Sequence, residues 1–205
     1  KNFKMALIRF PLNAKNIGYV RNNKASTTTI LNYIGQILWD EKPTNISGTG
    51  TIMGNLGDDA YYGREKDFDF YKQELLQCDI KIAVYRDPIN KLLSGFYHSK
   101  LQKPHLNLDT FLDNYQLTME KDNYIRIHCR TNTDMLGKSK DIYDYVFNTN
   151  EVDTKLKPLL EDWSNKKILP VKHRKQTYPK PTKQQIEKIK IIFQNDYENR
   201  WCWNI

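Results

Sequence analysis

Two stretches of the chain place anion-binding side chains where a predicted strand passes into a helix. The first is residues 23–30, NKASTTTI, in which Lys24 is followed by one serine and three threonines. Backbone N–H groups at a helix N-terminus bind anions, and the hydroxyl groups and the lysine strengthen that attraction. This stretch predicts a phosphate cradle, although it lacks the glycines and the Gly-Lys-Ser/Thr ending of a Walker A loop. A hydroxyl-capped helix after an ordinary strand is the alternative interpretation.

The second stretch is residues 85–98, YRDPINKLLSGFYH. Arg86 follows the apolar run 80–85, at the carboxyl end of a strand, which is where open α/β sheets bind ligands. Asp87 and Pro88 are a typical N-cap and first helical residue. The polar face of this helix is predicted to carry Asp87, Asn90, Lys91 and Ser94. Arg86 and Ser94 are therefore candidates for a second phosphate site, and a capped helix with an arginine salt bridge is the alternative.

The elements that must position these residues follow from the apolar periodicity of the chain. Helices are predicted at residues 28–38, 68–78, 88–98, 107–115, 151–163 and 183–197. Strands are predicted at residues 17–21, 80–85, 142–147 and 166–171. Strands that alternate with helices are typical of α/β proteins. We therefore expect one α/β domain over residues 1–205, with a central, mostly parallel sheet flanked by helices.

Together the two stretches resemble the nucleotide signature of sulfotransferases that use 3′-phosphoadenosine 5′-phosphosulfate. The first motif of that family is Pro-Lys-x-x-x-Thr-Ser-apolar, and here Asn23 replaces the proline and Thr29 the serine. The second motif is Arg-Asp-Pro with a serine eight residues after the arginine, and residues 86–94 match it without a gap. The glycan-modifying Golgi branch, which includes the heparan sulfate 2-O-sulfotransferases, is the most similar.

Two weaker stretches extend this resemblance over roughly residues 17–200. Residues 173–186, HRKQTYPKPTKQQI, are similar to an Arg-Lys-Thr loop followed by Pro-Thr-Lys-Gln and the last helix of that branch. Residues 128–137, HCRTNTDMLG, are similar to a His-x-Arg-Pro-Gln-Thr-Asp segment, with Thr131 and Asn132 in place of Pro and Gln. The resemblance implies a P-loop-like three-layer sandwich, a sulfuryl transfer without metal, and a carbohydrate hydroxyl as the acceptor.

The resemblance also implies a role for each matched residue. The 5′-phosphate would be held by Ala25, Ser26, Thr27, Thr28 and Thr29, through backbone amides and the last two hydroxyls. Arg86 and Ser94 would hold the 3′-phosphate, and Arg174, Lys175 and Thr177 would close over the nucleotide. Lys24 would stabilise the negative charge that develops on the oxygen leaving the sulfur.

The acceptor hydroxyl also needs a base, and here the chain departs from the family. The related glycan enzymes have a histidine at the position of Arg64. The nearest carboxylate, Glu65, is the favoured candidate ahead of Asp59. The alternatives are Asp58, His98 and His128. This departure leaves open a different acceptor, or an inactive member that only binds nucleotide or glycan.

Composition restricts the function further. The chain of 205 residues has a formal net charge of +8, which predicts an anionic partner. The basic segment 172–183 is accompanied by no known nucleic-acid motif, so a nucleic-acid partner is not expected.

No apolar run reaches the length of a membrane span, and no secretory signal is visible, so we expect a soluble, cytoplasmic enzyme. Three cysteines far apart favour neither a disulfide framework nor a zinc site. An atypical small-molecule kinase stays open as an alternative.

Overall fold

The structure, a computed structural model, describes residues 7–40, 67–171 and 177–202. Four strands form one open sheet in the spatial order β1-β2-β3-β4. They are β1 (Leu7–Leu12), β2 (Lys15–Val20), β3 (Ile80–Tyr85) and β4 (Tyr145–Asn148). β1 and β2 are antiparallel, whereas β2 with β3 and β3 with β4 are parallel. The predicted α/β class is confirmed, and the antiparallel β1 makes the sheet mixed.

The helices occupy the connections between the strands and the chain that follows β4. They are α1 (Thr27–Trp39), α2 (Phe68–Leu76), α3 (Pro88–Gln102), α4 (Leu108–Asp113), α5 (Tyr115–Lys121), α6 (Asn123–Cys129), α7 (Asn132–Leu136), α8 (Lys157–Ser164), α9 (Lys183–Ile192) and α10 (Gln194–Glu198). A 3₁₀ turn (Thr149–Glu151) and a π-helical turn (Val152–Leu156) lead from β4 into α8. Within the described ranges, no helix has the length and apolar character that crossing a bilayer requires.

Two strand predictions needed correction. β1 was not predicted, because Asn13 and Ala14 form its turn with positive φ angles of 46° and 62° but lack the glycine that marks such hairpins. Residues 166–171 were predicted as a strand and form none. Their backbone forms hydrogen bonds with side chains instead. For example, the N–H of Ile168 donates to Glu161 Oε1 at 2.7 Å.

Side chains of the sheet alternate between two apolar layers, as the pleat requires. Tyr19 and Ile82 point to the layer that contains α1 and α8. Val20 and Ala83 point to the opposite layer, which contains α2, α7 and the buried Trp201. Helices therefore flank the sheet on both faces, an arrangement compatible with a three-layer sandwich.

The register of the parallel strands positions the predicted site. Val20 at the end of β2 pairs with Ala83, two residues before the end of β3. Because parallel strands end at the same edge of a sheet, the turn after β2 and the residues after β3 emerge side by side. That edge is the carboxyl edge, where α/β sheets bind ligands.

Candidate anion-binding site

A buried asparagine network ties the two strand-to-helix junctions together. Asn22 Nδ2 donates to the Val84 carbonyl at 3.0 Å and to Asn132 Oδ1 at 2.8 Å. Asn132 Nδ2 donates in turn to the Arg86 carbonyl at 2.8 Å. Both asparagines are fully buried. The network therefore fixes the turn after β2 against the residue that follows β3.

Asn132 is itself fixed by Asp196 of α10. The backbone N–H of Asn132 donates to Asp196 Oδ2 at 2.8 Å, and the N–H of Thr133 donates to Oδ1 at 2.7 Å. Asp196 is fully buried, and this burial raises the pKa of its carboxyl group. In the sequence, Asn132 appeared only as a departure from a family motif, and Asp196 lies among polar residues in a terminal helix. No local pattern distinguishes these two residues.

The turn between β2 and α1 closes on the Asn22 carbonyl. That oxygen accepts from the backbone N–H of Ala25 at 3.1 Å and from the Thr27 hydroxyl at 2.8 Å. Lys24 and Ser26 adopt left-handed backbone angles, with φ of 64° and 57°. The Ala25 N–H, one of the backbone amides that the resemblance implied for phosphate binding, thus holds the turn in shape together with the Thr27 hydroxyl.

The N-terminus of α1 opens toward the carboxyl edge without a capping side chain. Ser26 stands at the N-cap position, and its hydroxyl accepts no hydrogen bond from the helix backbone. The first turn carries no acidic residue. Thr28 is half-buried at this end, whereas Thr29 is buried. A thirteen-residue helix therefore presents its positive end uncompensated.

Lys24 and Arg86 lie next to each other at this edge. Arg86 Nη1 donates to the Lys24 carbonyl at 3.1 Å. Burial lowers the pKa of both side chains, and the Arg86 charge contributes to lowering the pKa of Lys24 to about 8. Neither forms a salt bridge with a carboxylate of the described ranges. Two neighbouring, partly desolvated cations that no described carboxylate salt-bridges are electrostatically suited to an anion.

Ser94 lies on α3 beside the chain that follows residue 176. Tyr178 donates its hydroxyl to Ser94 Oγ at 3.2 Å, and its ring stacks on Tyr97 with centroids 5.0 Å apart. Electrostatic interaction with Tyr178 partly offsets the lowering of the Arg86 pKa by burial. Thr177 precedes it and is exposed. The structure thus brings Tyr178 to the Arg86 and Ser94 side of the site.

One helix-face prediction was wrong. Lys91 was expected on the polar face of α3 and is fully buried, with its Nζ donating to the Arg130 carbonyl at 2.5 Å. Ser94 is buried as well. The reason is tertiary, because α6 and the residues after it cover this side of α3.

Several residues that the sequence singled out lie outside the described residues. They are Glu65, Asp59, Asp58, Arg64, Arg174 and Lys175. Among the described residues, no group of three or more His, Cys, Asp and Glu side chains is arranged to hold a metal ion. The three cysteines at positions 78, 129 and 202 are free. A cavity of about 510 Å³ between α2 and α7 contains none of the predicted site residues.

Comparison of the chain with protein-family models, curated proteins and solved structures found no match. The similarity to sulfotransferases therefore depends on the motif residues themselves. What the fold establishes is an α/β protein with a mixed open sheet. The candidate site consists of two cationic side chains, Lys24 and Arg86, and the uncapped N-terminus of α1 at the carboxyl edge of this sheet.

Proposed function

We propose that this chain is a sulfotransferase that transfers the sulfuryl group of 3′-phosphoadenosine 5′-phosphosulfate to a hydroxyl group of a carbohydrate. The observation that carries the proposal is the adjacency of Lys24 and Arg86 in front of the uncapped N-terminus of α1. A nucleotide with two separated phosphates would place one of them at the N-terminus of α1, beside Lys24, and the other at Arg86. Both the motif order and the strand-end geometry favour such a ligand.

The residues of this edge divide into two proposed phosphate sites. The first-turn N–H groups of α1 and the Thr28 hydroxyl would bind the 5′-phosphate, because helix N-termini favour anions. Arg86 and Ser94 would bind the 3′-phosphate, with the guanidinium supplying paired hydrogen bonds. The turn of residues 21–26 lies between an inner strand and a helix, and this supports a P-loop-like fold as part of the proposal.

Lys24 has the role of stabilising charge on the leaving oxygen. Sulfuryl transfer resembles phosphoryl transfer in leaving the protein little covalent chemistry, so positioning and charge stabilisation dominate. An ammonium group already desolvated in the ligand-free protein acts on a developing charge more strongly than one in water. A pKa of about 8 keeps Lys24 mainly protonated at neutral pH.

The alternative of a kinase would require carboxylates that are available for magnesium after a strand. The first carboxylate after β3 and the first after β4 are each engaged with a backbone group. Asp87 accepts from the N–H of Asn90 at 3.0 Å, and Glu151 accepts from the N–H of Asn148 at 2.8 Å. This occupation favours the sulfotransferase proposal over the kinase.

Calorimetric titration with adenosine 3′,5′-bisphosphate tests the proposal. We expect Arg86→Ala to weaken binding by about 10- to 100-fold, since a hydrogen bond to a charged group contributes about 1.5–3 kcal/mol. Arg200→Ala, which removes an exposed arginine, is the matched control and should bind like the wild type. ATP with magnesium should bind weakly.

Four outcomes would contradict the proposal. Folded protein that does not bind the bisphosphate has no nucleotide site of this kind. Unchanged binding in Arg86→Ala would remove Arg86 from the site. Tighter binding of ATP with magnesium would favour the kinase, and a steep salt dependence on oligonucleotides would favour a nucleic-acid module.

A further inference from the structure

His98 lies on the same face of α3 as Ser94, one helical turn further along. α6 packs closely against α3 here, because Gly95 has no side chain. A Cβ placed on Gly95 would stand 2.2 Å from the His128 carbonyl oxygen. This close approach brings the His98 and His128 rings together, with centroids 4.5 Å apart.

The same part of α6 is attached to the turn that carries Lys24. Asn23, the residue before Lys24, donates its Nδ2 to the Ile127 carbonyl at 2.9 Å. α6 is therefore fixed both to α3 at Gly95 and to the turn at Asn23. His98, one turn beyond Ser94 on α3, therefore contacts the same helix, α6, that is attached to the turn of Lys24.

The ring nitrogens of His98 are available for proton transfer. The ring contacts His128 and Tyr124, the latter at a centroid distance of 6.1 Å, and hydrogen-bonds to no side chain or backbone group in residues 7–40, 67–171 and 177–202. In His128, by contrast, Nδ1 lies 2.8 Å from the Tyr124 carbonyl and must donate to it. A donating Nδ1 leaves Nε2 as the basic nitrogen of His128, so His98 is favoured by its position one turn from Ser94 on α3 and not by this bond.

The surroundings of His98 keep it in its basic form. Among the residues that the structure describes, the charged and titratable groups that act on it are Lys24 from the turn and Tyr124 and His128 from α6. Burial and the Lys24 charge lower the pKa of His98. Because an unperturbed histidine already titrates below neutrality, His98 is neutral at pH 7.

We propose that His98 is the base that accepts the proton of the acceptor hydroxyl, an inference that rests on the proposed sulfotransferase function. A ring nitrogen of His98 takes the proton while the acceptor oxygen forms its bond to sulfur. The bond from sulfur to the 5′-phosphate oxygen breaks, and its electron pair leaves with the bisphosphate, where Lys24 offsets the charge. His98 then releases the proton to solvent. The products are a sulfate ester, adenosine 3′,5′-bisphosphate and one proton.

Titration of the histidine ring resonances by NMR tests the placement without an acceptor. With adenosine 3′,5′-bisphosphate bound, the added negative charge should raise the pKa of His98 by about half a unit or more. The exposed His105 is the internal control, and its resonances should not respond to the bisphosphate. His98→Gln assigns the resonance. If the bisphosphate binds and the His98 titration does not move, the inference is overturned while the proposed function stands.

Turnover with water as the acceptor tests the role. Release of inorganic sulfate from 3′-phosphoadenosine 5′-phosphosulfate should fall at least about 100-fold in His98→Gln, since general-base catalysis contributes about 10²–10⁴-fold. The dissociation constant for the bisphosphate should stay within about threefold. The rate of the wild type should rise with pH through the His98 pKa, and the variant should lose this rise. A wild-type rate and pH profile in His98→Gln would overturn the inference, and His105→Gln is the matched control.

Discussion

Replacing Lys24 with methionine is expected to stabilise the ligand-free protein while it weakens nucleotide binding. The side chain is largely buried beside Arg86, and its pKa is lowered from 10.5 to about 8. A tenfold change in a protonation equilibrium corresponds to about 1.4 kcal/mol. The protonated Lys24 therefore costs about 3 kcal/mol of folding stability at pH 7. Methionine has a similar length and carries no charge, so Lys24→Met should recover most of that free energy.

The sign of the pH dependence follows from the direction of the pKa change. Below pH 8 the ammonium group is charged in both the folded and the unfolded state, and the penalty is fully present. Between pH 8 and 10.5 the folded state has released the proton and the unfolded state still binds it, so wild-type stability rises with pH. At pH 10 the advantage of the variant should have fallen to about 1 kcal/mol. Lys91, whose pKa is also lowered to about 8 by burial, titrates in both proteins and cancels in the difference.

The assay is urea unfolding of the wild type and Lys24→Met at pH 7 and pH 10. Lys121→Met, which changes an exposed lysine in the last turn of α5, is the control and should alter stability by only a few tenths of a kcal/mol. A variant no more stable than the wild type at pH 7 would refute the account of a desolvated cation. An equal difference at both pH values would attribute the effect to packing.

Three further perturbations test the framework that holds the site. Asn132→Ala should cost about 2–4 kcal/mol in urea unfolding, because it leaves several buried polar partners unsatisfied; a loss below 1 kcal/mol would contradict the network. Gly95→Ala should cost about 1–3 kcal/mol by overpacking α3 against α6, whereas Gln102→Ala at the exposed end of α3 should be nearly neutral. Trp201→Ala should cost about 3–5 kcal/mol in thermal or urea unfolding, since its ring is fully buried and its Nε1 donates to a carbonyl at 2.7 Å. Trp39→Ala, at a partly exposed tryptophan, should cost clearly less.

Local sequence was sufficient for the elements that carry the two motifs. The strand at residues 80–85 was predicted with its observed limits, and α1 begins within one residue of its predicted start. The start of α3 was predicted from Asp87 and Pro88, and the Asp87 side chain does accept the Asn90 N–H. Periodicities of 2 and 3.6 residues and capping residues act over a few positions, so a sequence displays them directly.

Other parts of the fold left no local signal. The turn Asn13–Ala14 has left-handed angles without glycine, so β1 was not visible. Residues 166–171 have an apolar pattern like that of a strand, yet side chains of α1 and α8 bind their backbone. The helices between residues 115 and 129 are short and mixed in composition, and packing against α3 and α9 decides them more than propensity does.

For the candidate site, the sequence by itself determined the residue types, the positions of Lys24 and Arg86 after two strands, and the position of Ser94 on the helix that follows. The tertiary structure decided which groups meet there. It buried Lys91 on a face predicted to be polar, made Asn132 the link between the two junctions, and placed His98 against α6, the helix that holds the turn of Lys24. The physical reason is that charge desolvation and hydrogen-bond partnership depend on neighbours 39 to 110 positions away in the chain. Contacts between residues so far apart produce no periodic pattern in the sequence.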